Sequence, residues 1–287
     1  MRLDRYETVD DFMAHAGDFL VAREAEHNLI LGICTNLRFV PPPDPHDPPS
    51  FATVTDGDAV VLASLRMPPY NQVLSETDAL PAVDLVADAL VEVALPGVLG
   101  PREVAARFAE RWSAGTGRRM VIDMRERIFR LSRVIPPRQP ASGLWRIAGA
   151  GDRSLLAAWL TAFAAEATPT QPIHAADLEV MVDRWIARLG RTMYLWEDGG
   201  ATVSMVGAGG ETPNGIRIGP VYTPPPHRGR GYASALTAAV SQEQLDNGRT
   251  FVFLFTDLAN PTSNHIYQAI GYEPVTDVDQ YRTVADG

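Results

Sequence analysis

The sequence predicts an α+β fold assembled from two similarly built halves, and three observations lead there. In the C-terminal half, strand-like and helix-like segments follow one another as ββ–β–α–β–α, an order that requires a mixed sheet. An Asp-Gly hairpin pattern occurs twice, at Asp56-Gly57 between Phe51 and Ser64 and at Asp198-Gly199 between Tyr194 and Val206. The two turns are 142 residues apart, close to half of the 287-residue chain. Between them Pro136-Pro137-Arg138-Gln139-Pro140-Ala141-Ser142-Gly143 reads as a linker. The expected division is an N-terminal domain over 1–137, a linker over 138–143 and a C-terminal domain over 144–287.

Composition narrows the chemistry before any motif is read. Hydrophobic residues make up 46% and charged residues 21% of the chain, the balance of a folded globular protein. Cys34 is the only cysteine, which excludes an internal disulfide, a Cys-rich zinc site and a cysteine-held iron–sulfur cluster. All 25 basic side chains are arginine, so Schiff-base chemistry and a Walker-type phosphate lysine are excluded too. The net charge of −10 divides evenly, 20 acids against 15 arginines in residues 1–140 and 15 against 10 in the remainder. Non-specific nucleic-acid binding is disfavoured. No apolar run approaches a membrane span and the first residues lack a signal-peptide core, so no membrane association and a cytoplasmic location are expected.

The elements follow in order. Pro41 to Pro49, with six prolines in nine residues, reads as an exposed loop inside the N-terminal half. In the C-terminal half Asp152 is placed to cap a helix with the apolar face Leu155, Leu156, Trp159, Leu160 and Phe163. A second helix carries Leu178, Met181, Val182, Trp185 and Leu189 and stops at Gly190. The second Asp-Gly hairpin follows, and Asn214-Gly215 turns into a strand over Ile216 to Thr223. A helix with Leu236, Ala239, Val240 and Leu245 ends at Gly248. The run Thr250 to Thr256 is a buried strand, and Asn260-Pro261 opens a last helix that reaches about Ile270 before Gly271.

The segment between the strand at Ile216–Thr223 and the next helix carries the chemistry. Arg228-Gly229-Arg230-Gly231-Tyr232-Ala233-Ser234 leaves backbone N–H groups uncovered at a helix start, where phosphate oxygens bind. Glycine at 229 and 231 lets the backbone approach a pyrophosphate, and two arginines add positive charge, so a diphosphate-bearing ligand is implied. A dinucleotide fold needs a third glycine where Ser234 stands, and a phosphate loop for ATP needs Gly-Lys, so both fit poorly.

The pattern Arg/Gln-x-x-Gly-x-Gly/Ala is satisfied by Arg228, Gly231 and Ala233, and it resembles the coenzyme A loop of the GNAT superfamily of N-acetyltransferases. The segment Asn260-Pro261-Thr262-Ser263-Asn264-His265-Ile266-Tyr267, through Tyr272, is similar to that family's closing motif. Positions 260, 264 and 267 share one helical stripe, with Ile266 and Ile270 expected to face the core. The resemblance covers residues 143–287 and is specific over 216–272. It implies two GNAT-like domains, each a mixed, mostly antiparallel twisted sheet flanked by helices, the N-terminal one degenerate. There Leu65 to Tyr70 is matched with the strand and proline turn at Val221 to Pro225, and Asn71 to Ser75 takes the place of the phosphate loop without glycines.

The resemblance further implies acetyl-CoA as co-substrate, no metal, and transfer of an acetyl or short acyl group to a primary amine in a ternary complex. The acceptor is a small-molecule or peptide amine, and the oligomeric state stays open, a homodimer included. Backbone groups of Val221, Tyr222 and Thr223 would hold the pantetheine arm, and those of Arg228, Gly229, Arg230, Gly231, Tyr232, Ala233 and Ser234 the pyrophosphate. Asn260 and Asn264 would position pantetheine amides, and Tyr267 would protonate the departing thiolate. Where some relatives carry a catalytic glutamate this chain has Arg217, which leaves Glu166, Glu211, His227 or water as the base. A coenzyme A-binding module without catalysis is the alternative, motivated by that missing carboxylate.

Overall fold

The computed structural model describes residues 1–39, 47–138, 140–170, 173 and 175–284. Most of the Pro41–Pro49 segment, Gln139 and His174 fall outside them. The chain divides into two compact units, the first comprising Met1–Ile128, Phe255–Asn260 and Pro274–Gly287, the second Phe129–Leu254 and Pro261–Glu273.

The first unit opens with β1 (Arg2–Tyr6), α1 (Val9–Ala22), α2 (Asn28–Phe39), β2 (Ser50–Asp56), β3 (Ala59–Arg66) and β4 (Gln72–Leu74). It continues with α3 (Leu80–Asp88), β5 (Gly97–Pro101), α4 (Arg102–Thr116) and the long β6 (Arg119–Leu131), whose last residues belong to the second unit. Thr8 caps α1, its hydroxyl accepting from the Asp11 N–H at 3.1 Å, and Gly117 ends α4 in the left-handed conformation. Side chains alternate across the sheet. Phe51, Ala63 and Leu65 face Phe12, Leu20 and Ile30 of α1 and α2, while Val54, Leu62 and Leu74 face Val83, Phe108 and Trp112 of α3 and α4. With helices on both faces, strands read as nearly unbroken apolar runs.

The second half of the chain repeats the order with β7 (Leu144–Ile147), α5 (Arg153–Ala167), α6 (Ala175–Ile186), β8 (Arg191–Asp198), β9 (Ala201–Gly209) and β10 (Gly215–Tyr222). Then come α7 (Tyr232–Asp246), β11 (Phe251–Asp257), α8 (Pro261–Ala269) and β12 (Glu273–Val284). Met193 and Leu195 meet Leu156, Leu160 and Trp185 on one face, and Tyr194 and Trp196 join Leu236, Val240 and Val252 on the other. The two Asp-Gly hairpins match in detail. Asp56 pairs with Ala59 and Asp198 with Ala201, and each hairpin carries a register shift at the same relative place, Val54/Thr55 and Trp196/Glu197. Gly57 and Gly199 turn the chain at φ 60° and 57°. No helix among the described residues is long and apolar enough to cross a membrane.

Four sequence expectations need correction. The units do not follow a single cut at 138–143, because β12, from the end of the chain, pairs antiparallel with β5 of the first unit from Val278↔Pro101 to Arg282↔Gly97. Gly97 is required there, since a Cβ would lie 1.9 Å from the Tyr281 carbonyl oxygen. The segment Asn71–Ser75 is not the counterpart of the phosphate loop, because its centre is β4; the loop from β4 to α3 is Ser75-Glu76-Thr77-Asp78-Ala79. Asp152 stands at the start of α5, but its carboxylate is taken by Arg146 at 2.7 Å and by the Gly149 N–H at 2.8 Å instead of capping the helix. Leu189 lies beyond the end of α6 and is exposed, so it is not part of the apolar face.

His27 ties the first unit together from inside. It is 1% exposed, its Nδ1–H donating to the Leu20 carbonyl at 3.0 Å while Nε2 accepts the Glu76 N–H at 3.1 Å, so only the neutral ring satisfies both neighbours. Burial holds its pKa below the ordinary 6.5, with the Leu20 bond and Glu26 opposing. The unfolded chain therefore takes up the proton first, and the stabilisation, complete above 6.5, is lost as pH falls through the folded-state value. Urea midpoints are expected to drop between about pH 7.5 and about pH 5.5 and to drop less in His27→Gln. Equal declines in the two proteins would remove His27 as a source of the pH dependence.

Candidate functional site

The site of the second unit begins where β10 changes partners. β10 runs parallel to β11 only across Gly215, Ile216 and Arg217, so from Ile218 onward its register is with β9 alone. That register carries an extra residue: Ile218 faces Ala208, but Val221 faces Val206. Gly219, at φ 145°, makes the bulge with Pro220. Across from it, a Cβ on Gly207 would come within 2.6 Å of the Gly219 carbonyl oxygen and 2.7 Å of the Trp185 ring. Among the described residues, one side of the backbone from Ile218 to Tyr222 is thus left without a strand partner, and an extended amide-bearing chain fits it as an added strand. Gly207 and Gly219-Pro220 were not singled out from sequence, although Gly and Pro inside a strand pattern are the ordinary sign of a bulge.

Beyond Tyr222 the chain makes a single 3-10 turn over Pro225–His227 and then the glycine segment. Gly229 and Gly231 lie at φ 76° and 80°, and open space surrounds both, so the need for glycine is conformational and not steric. The first helical bond of α7 runs from Ala235 N–H to the Gly231 carbonyl at 2.9 Å. The N–H groups of Tyr232, Ala233 and Ser234 consequently have no acceptor in the helix and form, with those of Gly229, Arg230 and Gly231, a cluster of donors suited to a polyphosphate. Its supports were not foreseen. The Tyr232 hydroxyl donates to the Asp198 carboxylate on the hairpin turn, a bond that also lowers the Asp198 pKa. The Ser204 hydroxyl meets the Tyr222 carbonyl at 3.2 Å and the Thr223 hydroxyl at 2.9 Å, fixing the end of β10.

The arginines divide their work. Arg230 is exposed beside the loop, whereas Arg228 turns away from the amides. Its Nε donates to the Thr223 carbonyl at 2.8 Å, one terminal nitrogen meets both Glu166 oxygens at 3.0 and 2.7 Å, and its guanidinium lies over the Tyr222 ring at 5.8 Å. Of the candidate bases, Glu166 is therefore held by a cation, and so is Glu211, bound by Arg249. The Nδ1 of His227 is buried and has no hydrogen-bond partner among the described residues. Arg217 stands half-buried, its guanidinium beside Gly210.

Helix α8 departs from the expected polar stripe. At about 100° per residue, Ile266, Ile270 and Tyr267 fall within one arc of about 100°, wide enough to be a single core-facing surface. Tyr267 accordingly is 8% exposed and packs in the same core as Ile270, edge-on to Tyr272 with ring centres 6.0 Å apart. Burial pushes its pKa up to about 12, so the phenol keeps its proton at neutral pH. Asn264 is half-buried, and Asn260, grouped with the first unit, is exposed.

Comparison with known proteins agrees with this construction. A family model described as FR47-like protein matches residues 198–282. No curated protein sequence matches the chain. Among solved structures, a Drosophila protein superposes with a TM-score of 0.69 at 14% identity, over 99% of this chain and 98% of its own. A GCN5-related N-acetyltransferase from Sphaerobacter thermophilus gives 0.61 at 16% identity over 99% and 96%. A tandem GNAT protein from the clavulanic acid biosynthesis pathway gives 0.55 at 14% identity over 99% and 98%. These likenesses establish the architecture: the chain has the tandem, two-domain GNAT fold.

Replacing Gly207 with alanine is expected to destabilise the protein by about 1–3 kcal/mol, because the methyl group collides with the Gly219 carbonyl across the bulge. Chemical denaturation measures this, and an unchanged midpoint would show that the bulge does not need Gly207.

Proposed function

We propose that the second unit binds acetyl-CoA and that the protein moves its acetyl or another short acyl group to a primary amine by direct attack in a ternary complex. One observation carries the proposal: β10 loses its parallel partner after Arg217 immediately before a loop of uncovered amides at the start of α7. A long ligand with an amide-bearing arm and a diphosphate suits that sequence of an open strand edge followed by an anion cradle. Acetyl-CoA supplies the activated acyl group when bound.

The residues have separable tasks. Backbone groups of Val221, Tyr222 and Thr223 hold the amide arm and offer an N–H to the carbonyl oxygen as it gains charge. The amides from Gly229 to Ser234 hold the phosphates, and Asn264 assists the arm. As the amine nitrogen bonds to the acyl carbon and the carbon–sulfur bond breaks, Tyr267 gives its hydroxyl proton to the departing sulfur. The surplus proton of the amine passes to His227 or to water, since Glu166 and Glu211 are both ion-paired. The acceptor is a small-molecule or peptide amine.

The second reading is an acyl-CoA-binding module without turnover. Arg217 at the place of a strand carboxylate, together with the engagement of both glutamates, favours it. Purified protein incubated with acetyl-CoA and a panel of amines is expected to release free thiol, and calorimetry to show binding of coenzyme A. Binding without thiol release on any amine would leave the module; absence of both would end the two readings together. Tyr267→Phe is expected to lower kcat by about 100-fold or more while leaving coenzyme A affinity unchanged. An unchanged kcat would take the acid role from Tyr267.

A further inference from the structure

At the carboxyl ends of the parallel strands β4 and β5, the first unit holds a cavity of about 700 Å³. In element order it lies where the glycine loop lies in the second unit, after the fourth strand and before the following helix. Ligands collect at such places in sheets with parallel crossovers. The chemistry, however, is of opposite sign. The lining loop Ser75-Glu76-Thr77-Asp78-Ala79 has no glycine, and it presents two carboxylates where the second unit has Arg228 and Arg230. Glu103, in the first turn of α4, adds a third.

The opposite wall pairs its two carboxylates with three arginines, Arg125 lying 3.9 Å from Asp279. Asp277 bonds Arg127 at 2.6 Å and Arg102 at 3.1 Å, and Arg102 reaches Asp279 at 3.5 Å. Arg23, from outside the lining, meets Asp78 at 3.2 Å. Glu76 and Glu103 form no salt bridge among the described residues, which leaves a half-buried and an exposed carboxylate without an ion-pair partner there at the rim of an open cleft. The Glu76 carboxyl is pushed up by burial and by Glu26, Asp78 and Glu103, against Arg23. Its backbone is fixed by the bond to buried His27, and Thr77 by the Ala79 N–H at 3.0 Å, so the carboxylates stand on an anchored loop.

Two features select the ligand. The cavity has the size of an organic small-molecule site and is far larger than one ion needs. Among the described residues no three His, Cys, Asp or Glu side chains are gathered closely enough to hold a metal ion. We propose that this cavity binds a small linear organic polycation, a di- or triamine whose ammonium groups pair with Glu76 and Glu103. Phosphate-bearing ligands are repelled from it by the same charges.

Calorimetry on the full chain at moderate salt tests this with spermidine, putrescine and Mg²⁺ as probes. Spermidine is expected to bind saturably at one site per chain, and E76Q/E103Q, checked by thermal unfolding to be folded, to weaken that binding by at least about 10-fold. D18N, which removes an exposed carboxylate of α1, is expected to leave it unchanged. No saturable spermidine uptake, equal weakening by D18N, or equal displacement by Mg²⁺ at the same concentration would overturn the proposal. Should the double variant unfold, E103Q alone, at the helix surface, is expected to show about half the effect in logarithmic terms, and no effect would likewise overturn it.

Discussion

A strand has hydrogen-bonding groups on two sides, and β10 satisfies both only as far as Arg217. Every part of the candidate site follows from that. The bulge at Gly219-Pro220 keeps β9 in place while the other side opens, and Gly207 is small because the displaced carbonyl needs its space. The chain then has to turn sharply to start α7, which two left-handed glycines achieve, and the turn leaves the helix's first donors unclaimed. An extended edge and an anion cradle come from one interruption in one ladder.

What was legible in the sequence was whatever depends on local chemistry. Asp-Gly and Asn-Gly turns, apolar periodicity and the glycines at 229 and 231 located hairpins, helices and the loop, because each of those signals acts within a few residues. Much of the remainder is decided at long range. Nothing near Glu273 indicates that β12 will pair with β5 rather than close the half it follows. Likewise the charge of Glu166 reads as an available base until Arg228, 62 positions later, is found against it. Tyr267 was placed on a polar stripe by counting alone. A nine-residue helix has too narrow a polar face to spare a large ring from the core, and burial decided the matter.

The two units show how far one backbone plan tolerates opposite electrostatics. Ten elements recur in the same order in the two halves of the chain, down to a register shift at the same relative position, yet the loop after the fourth strand is arginine- and glycine-rich in the second half and acidic in the first. The plan supplies a place outside the strand ends; side chains decide which sign of charge is welcome there. The bonds that anchor the two loops differ as well. Tyr232 reaches an aspartate on a hairpin in one, and a buried imidazole accepts a backbone N–H in the other.

The pairing of β12 with β5 also sets a timetable. On the ribosome, the partner for the Gly97–Pro101 edge is synthesised more than 170 residues after that edge itself. Until then the nascent first unit exposes an unpaired edge, the kind of surface that invites pairing with other chains. Premature termination anywhere in the second half would release a first unit with that edge still open. Completion of the first unit thus waits on a single late segment of polypeptide.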